Sequence, residues 1–261
     1  MTQKLKVIVI GAGNVGLEVA RQSRGVGYDV VAQVSSRAFI PLAGAAVTFD
    51  RRGDAAEIMM TVGPFCLKHG VKLALLTIPS SGDGSTETRY ILSLTGVGIA
   101  VVTSGKSAFA SFYDVLRPHL DTIGRTATVG GGTRILPELK ERLDPTVPFV
   151  VDLVVNGTLS KVMSDIWKGS SVEAAIWEAI HLKYAEPPAD GEEMSPLDVF
   201  QGELSDIRKK LAIILNDVPS LHAMSGQTVR PEDIEMQPLS DEYQRRFLPH
   251  SGGYGDGSLG S

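Results

Sequence analysis

Lys6–Gly16 reads KVIVIGAGNVG, and Leu17–Gln22 continues as LEVARQ. The run Lys6–Ile10 is short, apolar and β-branched, the pattern of a parallel strand buried on both faces. Glycines 11, 13 and 16 then spell G-x-G-x-x-G between that strand and a segment of helical periodicity. In such a turn the first glycine permits the tight reversal and the second lets a pyrophosphate approach the backbone. The third lets the helix pack close to the sheet. The helix start adds N–H groups and a positive partial charge suited to phosphate. Gly11, Gly13, Asn14, Val15 and Gly16 are therefore the expected dinucleotide-binding turn, with a purely structural turn as the alternative.

Further strands are expected at Tyr28–Val34, Leu73–Ile78 and Gly98–Thr103, with helical segments around 54–69 and 85–95. Strands alternating with helices predict an α/β fold: a doubly wound Rossmann nucleotide-binding domain over residues 1–128. Pro79 and Ser80 end the third strand and join the expected cofactor-binding residues. The second strand ends Gln33-Val34-Ser35-Ser36-Arg37, with no acid to bind the adenosine ribose hydroxyls. The guanidinium of Arg37 suits a ribose 2′-phosphate instead, so NADP(H) is preferred and NAD(H) is the alternative. The bland alternative for Arg37 is a solvated loop residue.

After residue 128 the texture changes. Gly130-Gly131-Gly132 opens a section that contains a strand-like Phe149–Val155 and helices around 158–167, 171–182 and 200–216. We expect an α+β substrate-binding and dimerisation domain over 129–245. The small, polar, aperiodic 246–261 is expected to be a disordered tail.

The formal net charge of -5 gives no basic footprint for nucleic acid. The single cysteine, Cys66, excludes an internal disulfide framework and fits a reducing, cytoplasmic setting. There is no signal-peptide layout and no apolar run of membrane-spanning length. His181 and His222 lack metal-ligand spacing, and no metal is expected.

Four blocks follow the glycine turn in order. They are Val101-Val102-Thr103-Ser104-Gly105-Lys106, then Ala127-Thr128-Val129-Gly130-Gly131-Gly132, then Asn156-Gly157-Thr158 with Tyr184-Ala185-Glu186-Pro187. The last runs from Asp198-Val199 through Gly202 and Asp206 to Lys210-Leu211-Ala212-Ile213. Each block alone is weak, but the ordered set resembles the homoserine dehydrogenase family over roughly residues 5–240.

The resemblance implies interconversion of aspartate 4-semialdehyde and homoserine with a nicotinamide cofactor. Such chemistry needs a proton donor at the forming hydroxyl and cationic help for the developing alkoxide. Carried over, Lys210 is the catalytic acid/base, Lys106 stands beside nicotinamide and substrate, and Asp206 assists. Glu186 binds the substrate amino group, and Gly131, Thr158 and Asp198 complete the substrate side. A homodimer and a small amino-acid substrate are implied as partners, with neither nucleic acid nor membrane.

The residue physics is compatible. Asp206 and Lys210 lie four apart on a predicted helix and share a face. Leu204, Ile207, Leu211, Ile214 and Leu215 make its core stripe, and Lys210 stands at the border, where partial burial lowers a lysine pKa. Lys106 follows a buried strand at the edge where open α/β sheets bind ligands. The bland alternatives are an exposed i,i+4 pair, a surface loop lysine, a solvated Glu186 and a Thr158 placed near a helix cap.

The chain also departs from the family pattern. Gly105 replaces an asparagine. Thr126 stands where many members carry the glutamate of a monovalent-cation site, which speaks against that cation here. Thr133-Arg134 stands where Ile-Pro is usual, and the family's later glycine-rich segment is missing, so a C-terminally shortened member is expected. Two other functions stay open: a non-catalytic NADP(H)-binding or sensing homologue, and a dehydrogenase of another small amino acid such as aspartate.

Overall fold

The computed structural model describes residues 4–50, 54–79, 82–185 and 196–235. The strands are β1 (Lys6–Ile10), β2 (Asp29–Val34), β3 (Ala38–Pro41), β4 (Val47–Thr48), β5 (Leu73–Leu76), β6 (Ala100–Thr103) and β7 (Ile123–Gly124). The helices are α1 (Asn14–Gly25), α2 (Ala55–His69), α3 (Ser85–Gly96), α4 (Ser107–Ser111), α5 (Tyr113–Leu116), α6 (Ile135–Arg142), α7 (Gly157–Trp167), α8 (Val172–His181), α9 (Pro196–Asp217) and α10 (Pro219–Ser225).

Among the described residues, seven strands join one sheet in the order β4-β3-β2-β1-β5-β6-β7. β1 pairs parallel with both β2 and β5, and β6 continues parallel to β5 and β7. β1 is central because Val7, Ile8, Val9 and Ile10 can all be buried. Alternate residues of a strand face opposite ways. Val7 and Val9 accordingly pack with Ala20 of α1, Val30 and Leu75, while Ile8 and Ile10 fill the other face. This is the expected doubly wound Rossmann sheet.

β3 and β4 are additions to it. They fold back antiparallel on β2 through a tight turn in which Ser35 Oγ accepts from the N–H groups of Arg37 and Ala38. A serine hydroxyl bonded to following N–H groups is a local turn device. α2 starts on Asp54, whose carboxylate accepts from Ala56 and Glu57 N–H, and stops at Gly70 in the left-handed region. Cys66 lies fully buried in that helix, and burial pushes its thiol up to about 12, so it is no nucleophile at neutral pH.

Two compact units emerge from the contacts within the chain. The first comprises Met1–Val151 together with Arg208–Ile234, and the second contains Asp152–Ile207. Segment 129–151 thus belongs with the sheet, and α9 starts in the second unit and ends in the first. In the first unit, Asp217 at the end of α9 is the centre of a buried network. It accepts from Tyr113 Oη at 3.0 Å and Arg125 Nε at 2.7 Å, and Lys140 Nζ lies 2.7 Å from its other oxygen. Burial, with the Asp217 carboxylate close by, pushes the Tyr113 hydroxyl well above its ordinary range.

The second unit is helical. α7 and α8 pack Val162 against Ala175, Ile176 and Ala179, joined by Ala185 and Val199. The strand expected at Phe149–Val155 does not form. Val150 and Val154 are 87% and 81% exposed, and no strand runs beside the segment among the described residues. β-branched residues favour an extended backbone, but a strand exists only where a neighbour supplies its hydrogen bonds. No helix of the described residues is long and apolar enough to cross a membrane.

Candidate active site

The glycine turn divides its labour. Gly11 has φ +127°, and a Cβ there would come within 2.6 Å of the Thr77 carbonyl oxygen. At Gly16 a Cβ would overlap the Gly11 carbonyl, with the carbonyl carbon at 2.7 Å. These two glycines let β1, α1 and the end of β5 approach each other. Gly13 differs: its conformation is ordinary and a Cβ would meet nothing. Gly13 caps α1 without any side-chain hydrogen bond, and no acid stands in the first turn. Asn14 and Val15 are exposed there. Open space over backbone N–H groups at a helix start fits a phosphate.

Gly16→Ala is therefore expected to destabilise the fold by about 1–3 kcal/mol, the usual effect of forcing an extra group into a packed interior. Gly13→Ala should stay within about 0.5 kcal/mol of the parent. Calorimetric melting of the two variants checks this; equal midpoints would show that the tight approach is not structural.

A cavity of about 250 Å³ opens beside this turn, against Gly11, Ser35, Ser36, Pro79, Glu87 and Ser107. It lies past the C-terminal ends of β1, β2 and β5. β1 has β2 on one side and β5 on the other, so the chain's crossovers diverge there. Open α/β sheets bind ligands at such a switch point. Arg37 stands exposed in the β2–β3 turn, next to the two serines that line the cavity. Ser80 lies outside the described residues.

The far wall follows β6. Thr103 Oγ1 accepts from Gly105 N–H at 2.9 Å and donates to Glu87 Oε1 at 2.9 Å. Ala108 N–H donates to Glu87 Oε2 at 3.2 Å. Lys106 is half-buried at the start of α4. Lys209 Nζ reaches Ser107 Oγ at 3.2 Å. Burial pushes the Glu87 carboxyl up, while Ala108 N–H, Thr103 Oγ1 and the charges of Lys106 and Lys209 pull it down. Lys210 is half-buried on the same helix as Lys209. Sequence reasoning missed Glu87 and Lys209, because each stands in an ordinary helical context and its partners are remote in the chain. Gly131 is exposed, with φ +57°, in the turn before α6.

The remaining expected residues fall in the second unit. Asn156 caps α7, accepting from Leu159 N–H at 2.7 Å. Its amide donates to Glu203 at 2.5 Å and to Asp206 at 3.3 Å. Thr158 is buried, and its hydroxyl donates to the Tyr184 carbonyl at 2.8 Å, a bond that ties α7 to the end of the α8 segment. Asp198 is exposed near the start of α9. Asp206 is thus gathered with Asn156 and Glu203, while Thr158 is tied to the Tyr184 carbonyl. Glu186 lies outside the described residues. Among the described residues, no group of three His, Cys, Asp or Glu side chains is placed to hold a metal ion.

A Rossmann-type sheet with a glycine turn and a cavity at its switch point defines the class of α/β dinucleotide folds. No family model matches the chain. It is 28% identical over 210 residues to a curated homoserine dehydrogenase of Pyrococcus horikoshii, covering 70% of this chain and 62% of that relative. The crystal structure of homoserine dehydrogenase from Thermoplasma acidophilum superposes with TM-score 0.59 at 21% identity, over 92% of this chain and 75% of that one. A hyperthermophilic archaeal homoserine dehydrogenase in complex with NADPH gives TM-score 0.51 at 23% identity, over 82% and 69%. The sequence likeness is thus to a homoserine dehydrogenase, and the solved structures share the fold. The chain spans about three fifths of the curated relative it matches.

Proposed function

We propose that this chain is an NADP(H)-preferring oxidoreductase that interconverts aspartate 4-semialdehyde and L-homoserine. One observation carries the proposal: a single cavity is lined by Gly11 of the glycine turn on one side and by Glu87 and Ser107, the residue after Lys106, on the other. The curated relative supports the choice of substrate. When bound, the nicotinamide dinucleotide supplies or accepts the hydride. Gly11, Gly13, Asn14, Val15 and Gly16 hold its pyrophosphate, Arg37 its 2′-phosphate, and Pro79 and Ser80 flank it. Lys210 gives a proton to the substrate carbonyl oxygen as the hydroxyl forms, and takes one in the reverse direction. Lys106 offers its positive charge to the developing alkoxide. Glu186 takes the substrate amino group, with Asp206, Thr158, Asp198 and Gly131 completing the substrate side. The protein works as a cytoplasmic homodimer.

The test is NADPH consumption by the full chain with aspartate 4-semialdehyde. No turnover, with NADPH bound tightly in a fluorescence titration, selects a binding or sensing protein instead. Turnover confined to another small amino acid in a substrate panel would move the assignment to that substrate.

Arg37→Ala is expected to raise the Kd for NADPH by about tenfold, the loss of one charge-assisted contact worth roughly 1.4 kcal/mol. Affinity for NADH should stay unchanged. Parallel titrations check this, and an equal loss for both cofactors removes Arg37 from 2′-phosphate recognition.

A further inference from the structure

The wall between β6 and α4 is packed closely against the start of α3. Two glycines leave gaps in it. At Gly84, with φ +88°, a Cβ would come within 2.5 Å of the Ser107 carbonyl oxygen and 2.7 Å of Ala108 N. At Gly105 a Cβ would overlap the Glu87 carboxyl group, with Oε2 at 2.7 Å. The first turn of α3 therefore lies directly on the 103–108 turn, and the space of a side chain at 105 is filled by Glu87. Glu87 is 3% exposed.

Both Glu87 oxygens accept hydrogen bonds, one from Thr103 Oγ1 and one from Ala108 N–H. Acceptance at both oxygens is the pattern of a carboxylate rather than of a neutral acid. A buried carboxylate needs compensating partners. Here the charged groups that face it are Lys106, on the turn it braces, and Lys209 of α9. Lys209 also closes the circuit through Ser107 Oγ. The negative charge thus lies behind the turn that carries Lys106, on the wall of the cavity.

We infer that Glu87 is a positioning residue for turnover: its carboxylate, seated in the gap left by Gly105, fixes the 103–108 turn and so holds Lys106 in place. The inference rests on the oxidoreductase reading above. A neutral amide of the same shape cannot reproduce it. Its NH2 would have to face Thr103 Oγ1, which already accepts from Gly105 N–H, and the threonine hydroxyl hydrogen would lose its acceptor.

Glu87→Gln in the full chain separates the possibilities. The expected variant stays folded, its melting midpoint lowered only by the one lost hydrogen bond, and binds NADPH with a Kd within about threefold, since the glycine turn is untouched. Its kcat falls by about tenfold or more while KM for the semialdehyde changes little, the mark of a lost transition-state contribution. Brief labelling with an amine reagent, read by peptide mapping, should modify Lys106 about three times faster, because the turn that carries it is no longer fixed and opens more often. Lys68 and Lys72, remote in the fold, should keep their rates. Glu87→Asp, which keeps the charge, should recover most of the lost kcat and slow the labelling again.

Wild-type kcat together with wild-type Lys106 labelling in Glu87→Gln overturns the inference. So does Glu87→Asp behaving no better than Glu87→Gln. If the parent chain binds NADPH but reduces no semialdehyde, the oxidoreductase reading fails, and Lys106 labelling alone decides the role of Glu87.

Discussion

Lys210→Ala should lower kcat by about 10²–10⁴-fold, the range that a well-placed general acid supplies, and leave KM for both substrates nearly unchanged. The argument starts from proton balance. Hydride addition to an aldehyde carbon leaves charge on oxygen, and the proton must come from a positioned donor. Lys210 is half-buried on α9, four residues beyond Asp206. Lys209→Ala is the informative companion. Lys209 touches Ser107 on the cavity wall, so it competes for the role on geometry. If proton transfer belongs to Lys210, Lys209→Ala should cost no more than about tenfold, the loss of a supporting charge. Steady-state kinetics of both variants at one pH settles the order. A larger loss in Lys209→Ala reassigns the proton donor, and equal near-wild-type rates remove both lysines from the chemistry.

The second large effect concerns stability. Asp217→Ala should destabilise the first unit by about 3–5 kcal/mol, the usual consequence of removing one partner from a buried charge network. Asp217 has 1% side-chain exposure, and Arg125 has 15%. Without the carboxylate, Arg125 keeps bonds to the Leu120 and Ile123 carbonyls but loses its counter-charge. Tyr113 loses its acceptor, and Lys140 loses its ion pair. For a body of this size, the change corresponds to a drop in thermal midpoint of roughly 6–20 °C. Replacing the exposed Asp114, which pairs with Arg117 at the surface, should cost less than about 1 kcal/mol. Calorimetry on the two variants compares them directly. A shift in Asp217→Ala no larger than that in Asp114→Ala would show that the network contributes no more than a surface pair.

The contrast between these residues shows what sequence can carry. β1, the glycine turn and the alternation of strand and helix are legible because their signals are local. An apolar run, a glycine spacing and a 3.6-residue period each occupy a dozen residues or fewer. The β3–β4 addition was not foreseen, since its strands are short and its turn depends on a serine hydroxyl rather than on Asn-Gly or Asp-Gly. Phe149–Val155 fails in the opposite sense. Its composition is strand-like, but a strand is a property of its neighbours as well, and none is formed there among the described residues. At the site, Lys106 is readable from its place after β6, whereas Glu87 looks like any carboxylate in the first turn of a helix. Its meaning appears only when Thr103 and Ala108, remote in sequence, close on it. Asn156 carries a similar lesson. The N-G-T block marks a helix start, but its bond to Glu203 requires α9 in place.

The discontinuous make-up of the first unit has a consequence for synthesis on the ribosome. Domains tend to fold as units, from the N-terminus onward. Here the sheet and α6 emerge long before Arg208–Ile234, the segment that completes the unit. Until Asp217 leaves the exit tunnel, Tyr113, Arg125 and Lys140 have no carboxylate to gather around. In the nascent chain the cationic side of that network is therefore made before the carboxylate that neutralises it. The whole of Asp152–Ile207 is translated during that interval, and only then does the end of α9 arrive to lock the earlier half.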